Sequence, residues 1–226
     1  MSKCFCIGDI HGSYLALRQV LQRSKFDYKN DLLITIGDIV DGWGDSFMVV
    51  EELLKINNRI DIRGNHDDWF NIFIENGIHP VRWGQGGLAT AKSYAKELGI
   101  KLKIENNSNY LVGESYMINL NSGDIPETHK RFFRRQASHY FDDDNNLFVH
   151  GGFNRHSSLI ETSSDEMMWD RKLFSQAMSV KGDDKLKFVQ KFNQIFIGHT
   201  ATTHWGTDKP IKADIIWNLD SGAGSD

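Results

Sequence analysis

The sequence predicts an α/β protein with a largely parallel sheet, and three observations carry that prediction. Apolar runs of strand length alternate with amphipathic stretches of helix length from the first residues onward. Each early apolar run ends in a polar cluster beside glycine, the place where functional groups gather in open α/β sheets. No run reaches the ~20 apolar residues that a bilayer span needs, so the apolar segments belong to a folded core.

The elements follow in order. "KCFCI" reads as the first strand and "SYLALRQVLQRS" as an amphipathic helix with Ser13 placed to cap it. "DLLITI" is the second strand, "SFMVVEELLKI" a second helix with Ser46 as its expected cap, and "RIDIR" the third strand. Residues 68 to 144 are less regular, with a helical "LATAKSYAKELGI" and a charged "PETHKRFFRRQASHYF", and read as a helical cap or insertion. Two further apolar runs, "LFVHGG" and "QIFIGHT", end in histidine beside glycine, and "DIIWNLD" leads into "SGAGSD". With no internal repeat or low-complexity linker, the 226 residues are expected to form one domain, a length that buries a sizeable core.

Composition narrows the function classes. A 40% hydrophobic, 25% charged chain with three prolines is neither disordered nor fibrous. A net charge of -4 gives no global basic surface, so nucleic acid is not an expected partner. The local patch of Lys130, Arg131, Arg134 and Arg135 reads as a solvated helix face. Cys4 and Cys6 share one face of a strand, poorly placed to bridge, and are expected as reduced core residues. Without a leader pattern or a membrane span, the expected compartment is the cytoplasm, with no membrane partner.

The chemistry gathers at the strand ends. Asp9 and His11, two apart, can share one ion, and Asp38, Asn65, His150 and His199 terminate other apolar runs. Carboxylate, imidazole and amide oxygen donors in one set suit Mn²⁺, Fe or Zn²⁺ better than an all-oxygen Mg²⁺ site. Any one of these histidines alone reads as structural. Six potential ligands at five glycine-flanked strand ends do not, because burying ionisable groups without partners is costly. His79, His129, His139, His156 and His204 lack that context and are expected to be surface or structural residues.

"GDIHG", "GDIVDG", "RGNHD", "VHGG" and "IGHT", in this order over residues 8 to 200, resemble the motifs of the phosphoprotein phosphatase branch of the calcineurin-like metallophosphoesterases. "MMWDR" and "IWNLDSGAG" are similar to segments of bacterial serine/threonine phosphatases and diadenosine tetraphosphatases. The resemblance implies a central β-sandwich flanked by helices, in α/β/β/α layers, and two divalent metal ions, most simply Mn²⁺. It implies that Asp9 and His11 hold the first metal, Asp38 bridges, and Asn65, His150 and His199 hold the second. It assigns the catalytic acid to His66, its orienting carboxylate to Asp41, and phosphate contacts to Arg63 and Arg171.

The expected activity is therefore hydrolysis of phosphomonoesters by a metal-activated hydroxide, as in serine/threonine phosphoprotein phosphatases, on a phosphorylated protein or a small phosphoester. Hydrolysis of dinucleoside polyphosphates or phosphodiesters is the alternative within the class, and a catalytically silent binding module the alternative outside it. One departure bears on the substrate: the family pattern reads aspartate, arginine, glycine where this chain has Asp41, Gly42 and Trp43. Arg82 or Arg155 is expected to substitute for that arginine, or Trp43 to offer an apolar surface, although a core position is the simpler expectation for Trp43. Family members also commonly continue past the "GAG" turn into another strand, whereas this sequence stops at Asp226, leaving a short natural form or a truncated one open.

Overall fold

In the computed structural model, which describes residues 2–106, 116–155, 159–180, 186, 189 and 191–224, two sheets face each other between layers of helix. The first sheet joins β1 (Cys4–Ile7), β2 (Leu32–Thr35) and β3 (Asn58–Asp61) in that order, all parallel. A short antiparallel pair, β4 (Ile104–Asn106) and β5 (Tyr116–Ile118), stands apart. The second sheet joins β6 (His139–Phe141), β7 (Leu147–Val149), β8 (Ile195–Ile197), β9 (Ile211–Ala213) and β10 (Ile216–Asn218) in the order β6-β7-β8-β10-β9. β7, β8 and β10 run parallel and the two edges antiparallel, so the first sheet is wholly parallel as expected and the second is mixed.

Strand periodicity explains the layering. Successive side chains point to opposite faces, so Cys6, Leu32 and Ile34 meet Phe148 and Phe196 in an apolar layer between the sheets. Their neighbours Phe5, Ile7 and Leu33 turn outward onto helices. Leu147, Val149, Ile195 and Ile197 do the same on the far side. Each sheet is thus buried on both faces, which is why its strands read as near-continuous apolar runs.

Helices α1 (Tyr14–Arg23), α2 (Ser46–Leu53), α3 (Asn65–Asn76), α4 (Gly87–Glu97) and α5 (Glu127–Arg134) cover the first sheet. Helices α6 (Ser164–Trp169) and α7 (Lys172–Ser179) cover the second. Phe70, Trp83, Tyr94 and Phe133, from the stretch read as an insertion, lie in the same core as Leu33 and Val49. Those helices are a wall of the fold, because their apolar faces have no other surface on which to bury.

Three local expectations are corrected. Ser13 holds the cap position of α1, but α2 starts at Ser46 itself after Asp45, and the Ser46 hydroxyl lies 3.2 Å from Thr90 Oγ1. Cys4 is exposed and Cys6 half-buried, both unbridged, because β1 is an edge strand. Trp43 is 46% exposed, since Gly42 turns the chain outward and the indole stands on the surface. His156 lies outside the described residues. His129 is structural, fully buried between the Tyr94 hydroxyl and the Glu51 carboxylate at 2.8 Å each.

Candidate metal centre

The loops after β1, β2 and β3 are laced together by their own backbone. Ile10 and His11 donate their N–H groups to the Asp38 carbonyl at 3.0 and 2.8 Å, and Gly12 donates to Ile39 at 2.9 Å. Asp67 accepts from Ile39 N–H at 2.8 Å with one oxygen, and from Gly64 N–H and Gln136 Nε2 with the other. That carboxylate is fully buried, and burial together with nearby Asp38 raises its pKa to about 7. A Cβ on Gly64 would stand 2.1 Å from Asp38 Oδ1, so only glycine lets the third loop approach the second.

Within this frame His11, Asp38, Asp41 and His199 all adopt positive φ, between 49° and 70°. Such backbone costs of order 1–3 kcal/mol per residue and persists only where the surroundings enforce it. Here it aims the side chains at a common point. His11 Nε2 lies 3.6 Å from Asp38 Oδ2 and 4.0 Å from Asp9 Oδ2. His150 Nε2 lies 3.4 Å from Asp38 Oδ2 and 3.3 Å from Asn65 Oδ1. Among the described residues Asp38 belongs to both clusters able to hold a cation, one with His11 and His66 and the other with His150 and His199.

The donor set fits metal ions. His150 Nδ1 faces the Ile36 carbonyl at 2.8 Å, and a carbonyl only accepts, so Nδ1 carries a proton and Nε2 is the ring atom that faces two oxygens. His199 Nε2 is buried with no hydrogen-bond partner. Lone pairs gathered out of water without a donor are costly, and a cation satisfies them. Protonation shifts follow the same crowding. Burial opposes the charge on Asp38, yet His150, His66 and His11 hold its pKa well below the ordinary carboxylate value. Burial works against protonated His150, yet Asp38 and Asp9 raise its pKa to about 10. Burial, with His150 and Arg171 adding to it, lowers His199 to about 2 and keeps it neutral.

Beside the cluster, His66 Nδ1 meets Asp41 Oδ2 at 2.8 Å. Asp41 is fully buried, and its other oxygen accepts from Trp83 Nε1 at 3.0 Å and Thr90 Oγ1 at 2.6 Å. The single proton of Thr90 is committed there, so Thr90 accepts from Asp41 N–H at 2.9 Å and from the Ser46 hydroxyl. A carboxylate oriented this way fixes the His66 tautomer and leaves Nε2 free. Burial disfavours the imidazolium, but Asp38 and Asp41 outweigh it and raise the His66 pKa.

A cavity of about 420 Å³ opens over these groups, lined among others by His11, His66, His199, Arg171 and Asp220. The chain matches the calcineurin-like phosphoesterase model over residues 2–208. The chain belongs to that family. A 64-residue stretch is 42% identical to the symmetrical bis(5'-nucleosyl)-tetraphosphatase of Buchnera aphidicola, covering 28% of this chain and 23% of that protein. A 61-residue stretch is 38% identical to serine/threonine-protein phosphatase 1 of Salmonella typhimurium, covering 27% and 28%. The matched stretches therefore span about a quarter of each relative. A solved structure provisionally described as a diadenosine tetraphosphatase superposes with a TM-score of 0.62 over 97% of this chain and 83% of that one, at 16% identity. A cold-active protein-tyrosine phosphatase of a Shewanella species gives 0.58 over 98% and 71%, also at 16% identity, and both show the shared fold.

The structure brings Asp9, His11, Asp38, Asn65, His66, Asp41, His150 and His199 together in one cluster. The arginines divide. Arg171 lines the cavity, with Nη1 3.0 Å from the His199 carbonyl and 2.8 Å from Thr200 Oγ1. Arg63 donates to the Phe133 carbonyl at 2.8 Å and stands 3.5 Å from Asp68, outside the cavity lining. Arg82 lies over the Trp169 ring at 5.6 Å and Arg155 binds Asp170 at 3.2 Å, so neither takes the place of the arginine absent at position 42. Gly42 itself has φ +83°, where a Cβ would stand 3.2 Å from His11 Cβ. Glycine takes that left-handed backbone without strain, and a side chain there would crowd His11. Trp43 Nε1 instead donates to the Ala223 carbonyl at 2.6 Å, fastening the Asp220–Gly224 segment beside His11.

Sequence reasoning missed three functional neighbours. Asp220 ends an apolar run next to a glycine-rich turn, the same signal that marked Asp38, and its buried carboxylate lines the cavity. Trp83 and Thr90, which hold Asp41, lie 42 and 49 residues away in sequence and carry no local signal.

Proposed function

We propose that this chain hydrolyses phosphoesters at a centre of two divalent cations, with phosphomonoesters of the serine/threonine phosphoprotein type as the leading substrate class. The observation that carries the reading is the pair of cation-competent clusters sharing Asp38 among the described residues, one of which includes His66, itself braced by Asp41. Asp9, His11 and Asp38 would hold one ion and Asp38, Asn65, His150 and His199 the other. Mn²⁺ is the ion we propose, with Fe or Zn²⁺ as alternatives, because imidazole and oxygen donors are mixed. Such ions supply a water of lowered pKa and neutralise phosphoryl oxygens.

The chain's own residues do the rest. Arg171 offers forked donors to a non-bridging phosphoryl oxygen and stabilises charge as it builds. Asp41 holds Nδ1–H of His66, so the imidazolium presents its Nε2 proton to the leaving oxygen. As the bond from phosphorus to that oxygen breaks, the oxygen takes this proton, and neutral His66 regains one from solvent. Trp69, whose ring centroid is 4.7 Å from that of His66, keeps one side of the imidazole dry.

A second substrate reading, dinucleoside polyphosphates, draws support from the cavity mouth. Gly42, Gly86, Gly222 and Gly224 line it, leaving room for a second ester substituent. The two readings separate in one assay set: Mn²⁺-loaded protein is compared on phosphoserine peptide, p-nitrophenyl phosphate, bis-p-nitrophenyl phosphate and diadenosine tetraphosphate. A kcat/KM at least tenfold higher on the peptide supports the leading reading, and the reverse ratio supports the second. Absence of metal-dependent turnover on all four would reject both.

A further inference from the structure

The structure holds a second cavity, of about 410 Å³, that shares no lining residue with the metal centre. It lies along the outer edge of β3, between that strand, the end of α2 and the face of α5. On this side of β3 the single bridge among the described residues is Ile62 to Ala137. The strand before it is not covered by another, and the cavity fills the space where a neighbour would pack.

Its lining is of two kinds. Ile60, Phe132 and Ala137 give an apolar floor with Tyr140 at its side, and Arg59, Arg131 and Arg135 bring three guanidiniums to the walls. The one carboxylate in the lining, Asp61, is already used: Arg59 Nε binds it at 2.6 Å and Thr35 Oγ1 donates to it at 3.1 Å. Arg59 also donates to the Leu53 carbonyl and lies 5.0 Å over the Phe132 ring, so it is fixed in place.

Arg131 and Arg135 are different. Both are exposed, and among the described residues neither has a carboxylate partner. Their neighbour Arg134 turns the other way and pairs with Glu75 and Glu127 at 2.6 and 3.0 Å. Positions four apart at a helix end stand one above the other, so the two unpaired cations repel across the cavity wall. The negative end of the helix dipole favours basic residues at a helix C-terminus. It gives no reason for two of them, with a third guanidinium opposite, to surround an apolar floor in a chain whose net charge is -4.

Forked guanidiniums left without carboxylates match the oxygens of a phosphate group, which they bind with paired, charge-assisted bonds. The cavity is of the size that small organic ligands occupy, and its apolar floor asks for a ring rather than a bare ion. We infer that this cavity binds a small organic phosphate of nucleotide type, with its phosphates on Arg131 and Arg135 and its ring on the floor around Phe132 and Tyr140. The site is separate from the proposed catalytic centre and does not rest on any activity there.

The test is binding, not turnover. The full chain is kept in excess chelator, so that the metal centre does not contribute, and titrated calorimetrically with ADP, pyrophosphate and adenosine. ADP should bind at least tenfold more tightly than either fragment, and its affinity should fall as salt rises. Arg131→Gln/Arg135→Gln, on an exposed helix face, should weaken ADP at least tenfold while Arg171→Gln in the other cavity leaves it unchanged. Loss of ADP binding in Arg171→Gln with none in the double variant would overturn the assignment, as would absence of ADP binding at millimolar concentration. Equal affinity for ADP and pyrophosphate would refute the nucleotide class.

Discussion

The loops after β1, β2 and β3 hold their site-facing side chains through backbone bonds to one another, while beyond β8 the ring of His199 stands over them with its Nε2 unpartnered. In the first region Asp38 is fixed from both ends: its carbonyl takes the Ile10 and His11 N–H groups, and its Oδ1 takes the His66 N–H at 3.0 Å. In the second, His199 is held by its backbone, through N–H to Asp9 at 3.1 Å and carbonyl to Arg171, and its Nε2 is buried without a partner. The difference lies in the side chains and not in the backbone, which is strained in both regions: Asp38 spends an oxygen on a backbone N–H, whereas His199 Nε2 is left for a ligand.

The largest test of this contrast falls on the residue both regions share. Asp38→Asn removes the charge that faces His11 and His150 and should cost roughly 10⁴-fold in kcat/KM, with bound metal lost from both positions. Metal content measured beside the rate decides it, and full metal occupancy would remove Asp38 from the bridging position.

His66→Asn should lower kcat about 10²–10⁴-fold on phosphoserine, whose leaving alkoxide needs a proton. The loss on p-nitrophenyl phosphate should be much smaller, because nitrophenolate leaves without one. Equal losses would mean that His66 binds phosphate or metal instead.

Arg171→Gln tests the second region's contribution to substrate. A lost charge-assisted contact of about 1.5–3 kcal/mol predicts a ~10- to 100-fold fall in kcat/KM. Unchanged inhibition by inorganic phosphate in this variant would place the contact elsewhere.

Thr90→Val leaves one Asp41 oxygen with Trp83 alone and its N–H without an acceptor. A fall of about tenfold in kcat is expected on phosphoserine, with little change on the nitrophenyl ester, from a lost bond worth about 1.5 kcal/mol. The same fall on both would show that Thr90 supports the fold and not the acid.

The smallest expected effect probes the contrast directly. Chelation should speed amide exchange at His199 and Thr200 by about tenfold, and at Ile10 and Gly12 by less than about twofold, since only the former depend on the cation for order. Uniform acceleration would show that the two regions are equally metal-dependent.

Much of this was legible in advance, for a stated reason. A strand's period of two and a glycine-flanked acid or histidine at its end are local patterns, so β1, β2, β3, β7 and β8 and the ligands beyond them could be read directly. In the region from 68 to 144 the helix of "LATAKSYAKELGI" could be read, and the rest could not. Its other helices look irregular because they pack on several partners at once, as Phe70 does on Phe73, Trp83, Tyr94 and Phe133.

The sequence by itself determined the donors: which carboxylates, imidazoles and amide stand at strand ends, and hence the chemistry open to them. Only the tertiary structure decided how they are held and what surrounds them. Trp83 and Thr90 reach Asp41 across more than forty residues, Arg63 turns to Phe133 while Arg171 turns to the cavity, and Gly42 is set by a left-handed turn. Each outcome depends on where distant elements come to rest against one another, and side-chain direction at such contacts follows from packing, which has no period along the chain.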